Sequence, residues 1–168
     1  SEYLISTTVV GATPAASVEF PDLDDYHGVY RHLSIVLTGR TDRVSTSDSF
    51  QIQFNSDSGS NYSYHRLFGN GSVASSEGNS SQTVIDLNRV AGNSAASDIF
   101  GAAVIDILDP FNTNKNTTIK NLSGVTGSSI NLDSGLWQNT AALTVIKVMP
   151  GAGSNWLEGS RFSLYGVV

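Results

Sequence analysis

The chain has 168 residues, which is enough for one domain with a substantial core and too few for two domains of ordinary size. Only 14 % of the residues are charged, against roughly 25 % in typical soluble domains, so Ser, Thr, Asn and Gly must cover much of the surface. The net charge of −6 argues against nucleic acid as a partner, and the lack of cysteine excludes disulfides, thiolate metal sites and cysteine nucleophiles.

Short segments in which apolar and polar residues alternate follow one another along the chain, and this is the period of a half-buried β-strand. In chain order, strands are expected in "EYLISTTVV", "ASVEF", "HLSIVLTGR", "SFQIQF", "NYSYHRLFG", "QTVIDLN", "IFGAAVIDILD", "TTIKNLSGV", "SGLWQ", "AALTVIKVM" and "RFSLYGVV". Turns rich in Gly, Asn and Asp separate them. We therefore predict a single all-β domain over 1–168, an antiparallel β-sandwich of jelly-roll type with about ten strands.

Two segments depart from this alternation. A helical turn is expected only in "FPDLDDYHGVYRHL", before the third strand. Residues 70–82, "NGSVASSEGNSSQ", are nearly all small and polar, so burial cannot offset the entropy lost on ordering them. We predict a mobile surface loop there. No apolar run approaches the roughly 20 residues of a membrane span, so no membrane insertion is expected.

Histidines and carboxylates form no recognisable catalytic or metal-binding pattern. His27, His32 and His65 lack the spacings of zinc sites. Asp86 and Asp106 follow apolar strand residues, and we expect them to bind loop amides or to face solvent. The chain is therefore expected to be no enzyme and to hold no metal or cofactor. Two alternatives stay open: calcium bound in an uncommon geometry, and a glycosidase with two facing carboxylates.

The stretch "IQFNSDSGSNYSYHRLFGNGS", residues 52–72, combines a turn with several aromatic side chains. In the turn we expect Asp57 or Asn61 to cap backbone amides and Gly59 to adopt a positive φ. Tyr62 and Tyr64 are two residues apart, so they lie on the same face of a strand. That face either closes the core or contacts a partner.

Aromatic side chains are the remaining candidates for ligand contact. Sugar rings stack on exposed aromatic rings, whose apolar body and polar tip suit that task. The candidate partner or glycan contacts are Tyr62, Tyr64, His65, Trp137 and Trp156.

Four stretches, in the order in which they occur, resemble a family of tailed-bacteriophage virion proteins. They are "IQFNSDSGSNYSYHRLFGNGS", "IFGAAVIDILDPFNTNKNTTIKNLSG", "SGLWQNTAALTVIKVMPGAGSNW" and "GSRFSLYGVV". The resemblance covers nearly the whole chain, and its departures, such as "DPFNTNK" for DYANTNK, remove no identified functional residue. It implies a β-sandwich carried on the particle as a capsid decoration, a head fibre or a tail-associated protein, without catalytic residues.

We therefore expect a non-enzymatic structural protein located in the virion, with capsid or fibre subunits as partners. Edge strands and a sparsely charged surface favour a symmetric homo-oligomer, for which we expect a trimer. The alternative is a carbohydrate-binding receptor-recognition module of a phage tail or fibre, which would bind a host surface glycan.

Overall fold

The computed structural model describes residues 1–168 and contains twelve β-strands and one short helix. The strands are β1 (Glu2–Val9), β2 (Val18–Phe20), β3 (His32–Gly39), β4 (Ser47–Phe54), β5 (Tyr62–Gly69), β6 (Ala74–Gln82), β7 (Ile85–Ala91), β8 (Gly101–Leu108), β9 (Thr117–Val125), β10 (Ser129–Trp137), β11 (Ile146–Pro150) and β12 (Arg161–Val167). The helix is a single 3-10 turn over Leu23–Tyr26, which confirms the helical turn predicted in that segment. No helix of the chain has the length and apolar character that a membrane crossing requires.

The strands form two antiparallel sheets that pack face to face. The larger sheet has the order β1-β12-β3-β8-β9-β10-β5-β6, and the smaller one has the order β2-β11-β4-β7. Alternating apolar residues such as Phe50, Ile52 and Phe54 of β4 point between the sheets and are fully buried. The predicted all-β antiparallel sandwich is therefore confirmed.

Eight of the strands have the connectivity of a jelly roll. In that fold the first of eight strands pairs with the eighth, the second with the seventh, the third with the sixth and the fourth with the fifth. When β5, β6, β9 and β10 are set aside, the pairs are β1 with β12, β2 with β11, β3 with β8 and β4 with β7. The domain is thus a jelly roll with two inserted hairpins.

The inserted hairpins, β5–β6 and β9–β10, lie side by side beyond β8 and widen the larger sheet from four to eight strands. The smaller sheet keeps four strands, and its edge strand β7 lies beneath the insertions, which also contact Phe54 at the end of β4. Beneath them the inward positions include the polar residues Arg66, Asn121, Asn131 and Asp133, all buried, beside core side chains such as Trp137. The interior under the insertions is therefore mixed, with a polar group next to the apolar core.

The prediction of a mobile loop at residues 70–82 is wrong. Ala74–Gln82 form β6, which pairs with β5 at the edge of the larger sheet. No residue of β6 is buried, so the strand is held by backbone hydrogen bonds rather than by apolar burial. A composition of Ser, Gly and Asn rules out a core strand without ruling out an exposed edge strand.

Candidate functional site

The loop between β4 and β5 is organised around Asp57. Its Oδ2 accepts the indole N–H of Trp137 at 2.8 Å, and both carboxylate oxygens accept Nδ2 of Asn61, at 2.9 and 3.1 Å. Its Oδ1 also accepts the backbone N–H of Gly59 at 2.9 Å, and the hydroxyl of Tyr62 donates to the Asp57 carbonyl at 2.8 Å. The predicted capping of a backbone amide by Asp57 is confirmed, and the carboxylate also anchors a core tryptophan.

The left-handed residues of this loop are Asn55 and Ser56, with φ of 51° and 55°. The prediction that Gly59 has a positive φ is wrong. The Asp57 side chain accepts the N–H two residues on and so makes the turn itself, without a left-handed glycine. Asn55 is among the residues that tolerate this backbone region, and its Nδ2 donates to the carbonyl of Ala142 at 2.9 Å.

We expect Asp57→Ala to lower the free energy of unfolding by about 1–3 kcal/mol at neutral pH, because the buried indole N–H of Trp137 loses its acceptor. The hydrogen bond from Trp137 holds the pKa of Asp57 below its ordinary value of 3.8. The charged carboxylate therefore stabilises the fold above pH 3.8, and this contribution is lost as the pH falls through the lower folded-state pKa. Urea denaturation should show a difference from wild type that shrinks in acid.

The matched control for that substitution is Ser58→Ala, one residue along the same loop, whose side chain is exposed. It removes a polar group that makes no hydrogen bond to the fold, so its unfolding midpoint should stay close to that of the wild type. Equal midpoints for the Asp57 and Ser58 variants at neutral pH would contradict the anchoring role of Asp57.

Three of the five candidate contact residues are core side chains. Tyr62, Trp137 and Trp156 are each 0 % exposed. Trp156 packs edge-on against Phe162, with ring centroids 4.9 Å apart, and its indole N–H donates to the carbonyl of Val148. A sugar ring cannot stack on a side chain sealed between two sheets. The predicted contact role of these three residues is therefore wrong.

Tyr64 and His65 are neighbours on β5 and face opposite sides of the sheet. Tyr64 is 7 % exposed, the guanidinium of Arg66 lies 5.4 Å from the centre of its ring, and its hydroxyl accepts Nδ2 of Asn79 at 3.2 Å. Tyr62 and Tyr64 thus share the inward face, which confirms their predicted common side. Of the five candidates, His65 alone is exposed.

The accessible aromatic side chains are found at a different place. Tyr3 on β1 is 51 % exposed and stacks on Tyr30 at a centroid distance of 6.0 Å, and Tyr30 stacks in turn on Tyr26 at 5.8 Å. These three tyrosines, unlike the two tryptophans, are at least partly accessible to a sugar ring.

Arg66 is the centre of a charged cluster in the polar part of the interior. Its Nε donates to Oδ1 of Asp133 at 2.7 Å, its Nη1 to Oε2 of Glu77 at 3.2 Å, and its Nη2 to the carbonyl and Oδ2 of Asp86 at 2.7 and 3.2 Å. The second oxygen of Asp133 accepts Nδ2 of Asn121 at 2.7 Å. One guanidinium thus joins the inserted hairpins to β7 of the smaller sheet.

Burial raises the pKa of the Asp133 and Asp86 carboxyls, against the opposing effect of Arg66. Raised carboxyl pKa values are common in catalytic acids. The Asp133 side chain, however, is 0 % exposed, and both of its oxygens are occupied by Arg66 and Asn121. The geometry is that of a structural ion-pair network.

The expectation that Asp86 binds loop amides or faces solvent is wrong, because its carboxylate pairs with Arg66. The expectation for Asp106 is confirmed, since it lies on the solvent side of the larger sheet. Sequence analysis missed Asn121 and Asp133, although both occupy positions where the alternation of β9 and β10 calls for inward side chains. Polar residues at two inward positions of neighbouring strands are the signal that indicates such a network.

Five aliphatic residues stand in register on the outer, solvent side of the larger sheet, where antiparallel sheets usually carry polar residues. Val36 of β3 pairs with Val104 of β8, Val104 with Leu122 of β9, Leu122 with Leu132 of β10, and Leu132 with Leu67 of β5. They are between 40 % and 56 % exposed. We call these five residues the aliphatic row.

The row is flanked along the strands by two further lines of outward residues. The polar line consists of Ser34, Asp106, Lys120, Ser134 and His65, and the opposite line consists of Thr38, Ala102, Gly124 and Ile130. Asp106 and Lys120 are 3.5 Å apart and partly exposed. Ile130 is 63 % exposed and extends the apolar surface. Among these three lines the charged side chains are Asp106 and Lys120, so the middle of the outer face combines a continuous apolar strip with one pair of opposite charges. Arg161 of β12 lies farther out, beside Thr38.

The three histidines make unrelated contacts. His32 accepts the backbone N–H of Asp109 at 2.9 Å, the His27 ring packs against Phe111 at a tilt of 52° with ring centroids 4.7 Å apart, and His65 lies on the outer face. No group of three or more His, Asp or Glu side chains is arranged to hold a metal ion.

A comparison of the chain with protein-family models, with curated proteins and with solved structures found no significant match. The resemblance to tailed-phage virion proteins therefore stays a prediction that depends on the four sequence stretches themselves.

Proposed function

We propose that this chain is a non-enzymatic structural protein of a bacteriophage particle, which decorates the particle by packing against other virion subunits. The observation that carries the proposal is the aliphatic row. Monomeric proteins rarely leave a contiguous apolar strip in water, and such strips mark surfaces where proteins meet. The jelly roll is compatible with this role, although capsid and lectin domains both use it and a fold alone does not decide function.

The contacts of three carboxylates support a non-enzymatic role. A glycosidase needs two carboxyl groups that face one substrate. Asp133 and Asp86 are held by Arg66, and Asp57 is held by Trp137 and Asn61. Each of these carboxylates is therefore engaged in holding strands or loops together.

Association with further copies of the chain is part of the proposal. The outer face has few charges to desolvate, so its burial against a neighbouring subunit costs little. The sequence resemblance supports a location in the virion, where capsid or fibre subunits and repeated copies of the same chain lie side by side.

Gold-labelled antibodies against the chain, applied to intact particles of the phage that encodes it, test the proposal by electron microscopy. We expect label spread over the capsid, because a decoration protein occupies many equivalent surface positions. Label confined to the tail would instead favour the receptor-recognition alternative. Particles of an unrelated phage serve as the control, and label no denser than on these would contradict a virion location.

A further inference from the structure

We propose that the aliphatic row is a two-fold interface between two copies of this chain, with the symmetry axis midway between β8 and β9. In this arrangement Asp106 of each copy faces Lys120 of the other. The inference names the partner of the surface described above, and it rests on the proposed structural function for its setting.

The outer face of the larger sheet is large enough for a stable pair. Its eight strands have seven to nine residues each. With a strand spacing of about 4.8 Å and a rise of about 3.3 Å per residue, they cover roughly 38 by 26 Å, on the order of 1,000 Å². A stable interface buries about 800 Å² on each partner. The aliphatic row crosses five of these eight strands, so apolar contacts would occupy the middle of the interface.

Four of the five residues of the row are complementary to one another, and the fifth, Leu67, faces Ser163 of β12 in the second copy. A two-fold axis that lies in the interface and runs parallel to the strands reverses the order of the strands in the second copy. With the axis midway between β8 and β9, Val104 faces Leu122 of the second copy and Val36 faces Leu132. Each valine thus meets a leucine, and both are partly exposed in the single chain.

The line that contains Ile130 is complementary in the same way. The same axis places Ile130 opposite Thr38 of the second copy and Ala102 opposite Gly124. Ile130, which protrudes and is 63 % exposed, therefore meets the smaller Thr38. Ala102 and Gly124, the two smallest residues of the line, meet each other. Sheets that pack face to face need this alternation of large and small side chains.

The charged pair decides the position of the axis. Asp106 and Lys120 are adjacent on β8 and β9. An axis on β9 would place Lys120 opposite Lys120 of the second copy. An axis between β9 and β10 would place Lys120 opposite the neutral Ser134 of the second copy. Midway between β8 and β9, each charge meets its opposite, and the two internal pairs join into a ring of four charges. This two-fold pair takes the place of the trimer expected from the sequence.

Sedimentation equilibrium of the whole chain over a series of concentrations tests the inference. We expect the mass of a dimer, and we expect Leu122→Asp to weaken dimerisation on the order of a hundredfold, because it buries a carboxylate without a cation. Val44→Asp is the matched control, since Val44 is 89 % exposed in the turn before β4, outside both sheets. It should leave the dimer unchanged. Circular dichroism of each variant verifies that the fold is retained.

Charge reversal tests the position of the axis. Asp106→Lys should weaken the dimer because it gathers four like charges at its centre, and the double variant Asp106→Lys/Lys120→Asp should restore it. A monomer at every concentration, a trimer, a dimer unaffected by Leu122→Asp, or a double variant without recovery would each overturn the inference. If the chain is found on particles by antibody labelling but stays monomeric in solution, only this interface is refuted. If the chain forms the dimer but is absent from particles, only the proposed function is refuted.

Discussion

Replacing Arg66 with Met is expected to lower the free energy of unfolding by about 3–5 kcal/mol at neutral pH. The Arg66 side chain is 3 % exposed, and its Nε donates at 2.7 Å to Asp133, whose side chain is 0 % exposed. Met keeps an unbranched apolar stem and supplies no donor, so Asp133 would stay buried and charged without a cation. Urea denaturation followed by tryptophan fluorescence measures the loss, because both tryptophans are buried in the fold.

Arg31→Met is the matched control, because the Arg31 side chain is 75 % exposed and its Nε lies 3.5 Å from Asp109. An exposed ion pair contributes little, so this variant should stay within about 0.5 kcal/mol of the wild type. Adding Asp133→Asn to Arg66→Met should recover much of the loss, since the fully buried carboxylate is then neutral and the other two partners of Arg66, Glu77 and Asp86, reach solvent. An Arg66→Met variant as stable as Arg31→Met would contradict the role of the cluster.

The loss in Arg66→Met should also depend on pH. Burial raises the pKa of Asp133 above its ordinary value of 3.8, and the hydrogen bond with Arg66 opposes that rise. A carboxyl with a raised folded-state pKa stabilises the fold below its unfolded-state pKa, and this contribution is lost as the pH rises through the folded-state value. Without Arg66 the pKa of Asp133 rises further, so mild acid already neutralises it. The gap between variant and wild type should therefore be widest at neutral pH and narrow towards acid.

Replacing Trp137 with Ala is expected to cost about 3–5 kcal/mol, a large share of the roughly 5–15 kcal/mol that stabilises a typical domain. The ring is fully buried and packs against Phe54 at a centroid distance of 5.6 Å, and its N–H donates to Asp57. The substitution removes two contacts of β10, one with the end of β4 and one with the loop that follows it. Calorimetry should show a markedly lower melting temperature.

Tyr3→Ala provides the matched aromatic control, because Tyr3 is 51 % exposed on the edge strand β1. Its loss of stability should be much smaller. Trp137→Phe should fall between the two, since it keeps an aromatic ring and loses the hydrogen bond to Asp57. If Trp137→Ala melts at the temperature of Tyr3→Ala, the ring does not have the structural role assigned to it.

Strand positions could be predicted because burial of one face imposes a period of two. Phe50, Ile52 and Phe54 show that period in the sequence and are all buried in β4. Many such segments without helices between them predicted the sandwich. The alternation of apolar and polar residues did not reveal β6, Ala74–Gln82, because a strand that is exposed to water on both faces has no apolar period to detect.

The candidate site residues show what the alternation of side chains along a strand can and cannot predict. Tyr62 and Tyr64 are two residues apart on a strand, so their side chains point to the same side of the sheet, as the sequence predicts. The alternation does not say whether that side faces the core or the surface. The buried positions of Trp137 and Trp156 depend on which sheet covers them, so a prediction of sugar contact for these residues had no support from the strand pattern.

The sequence by itself determined that the chain forms antiparallel strands around an apolar interior, because that information is contained in local alternation. Only the tertiary structure decided which residues meet across strands. Arg66 and Asp133 are 67 residues apart, and the alignment of Leu122 with Val104 and Val36 depends on the pairing of β9 with β8. Register arises from the packing of whole strands and hairpins, so neither the buried charge cluster nor the aliphatic row is visible in any single segment.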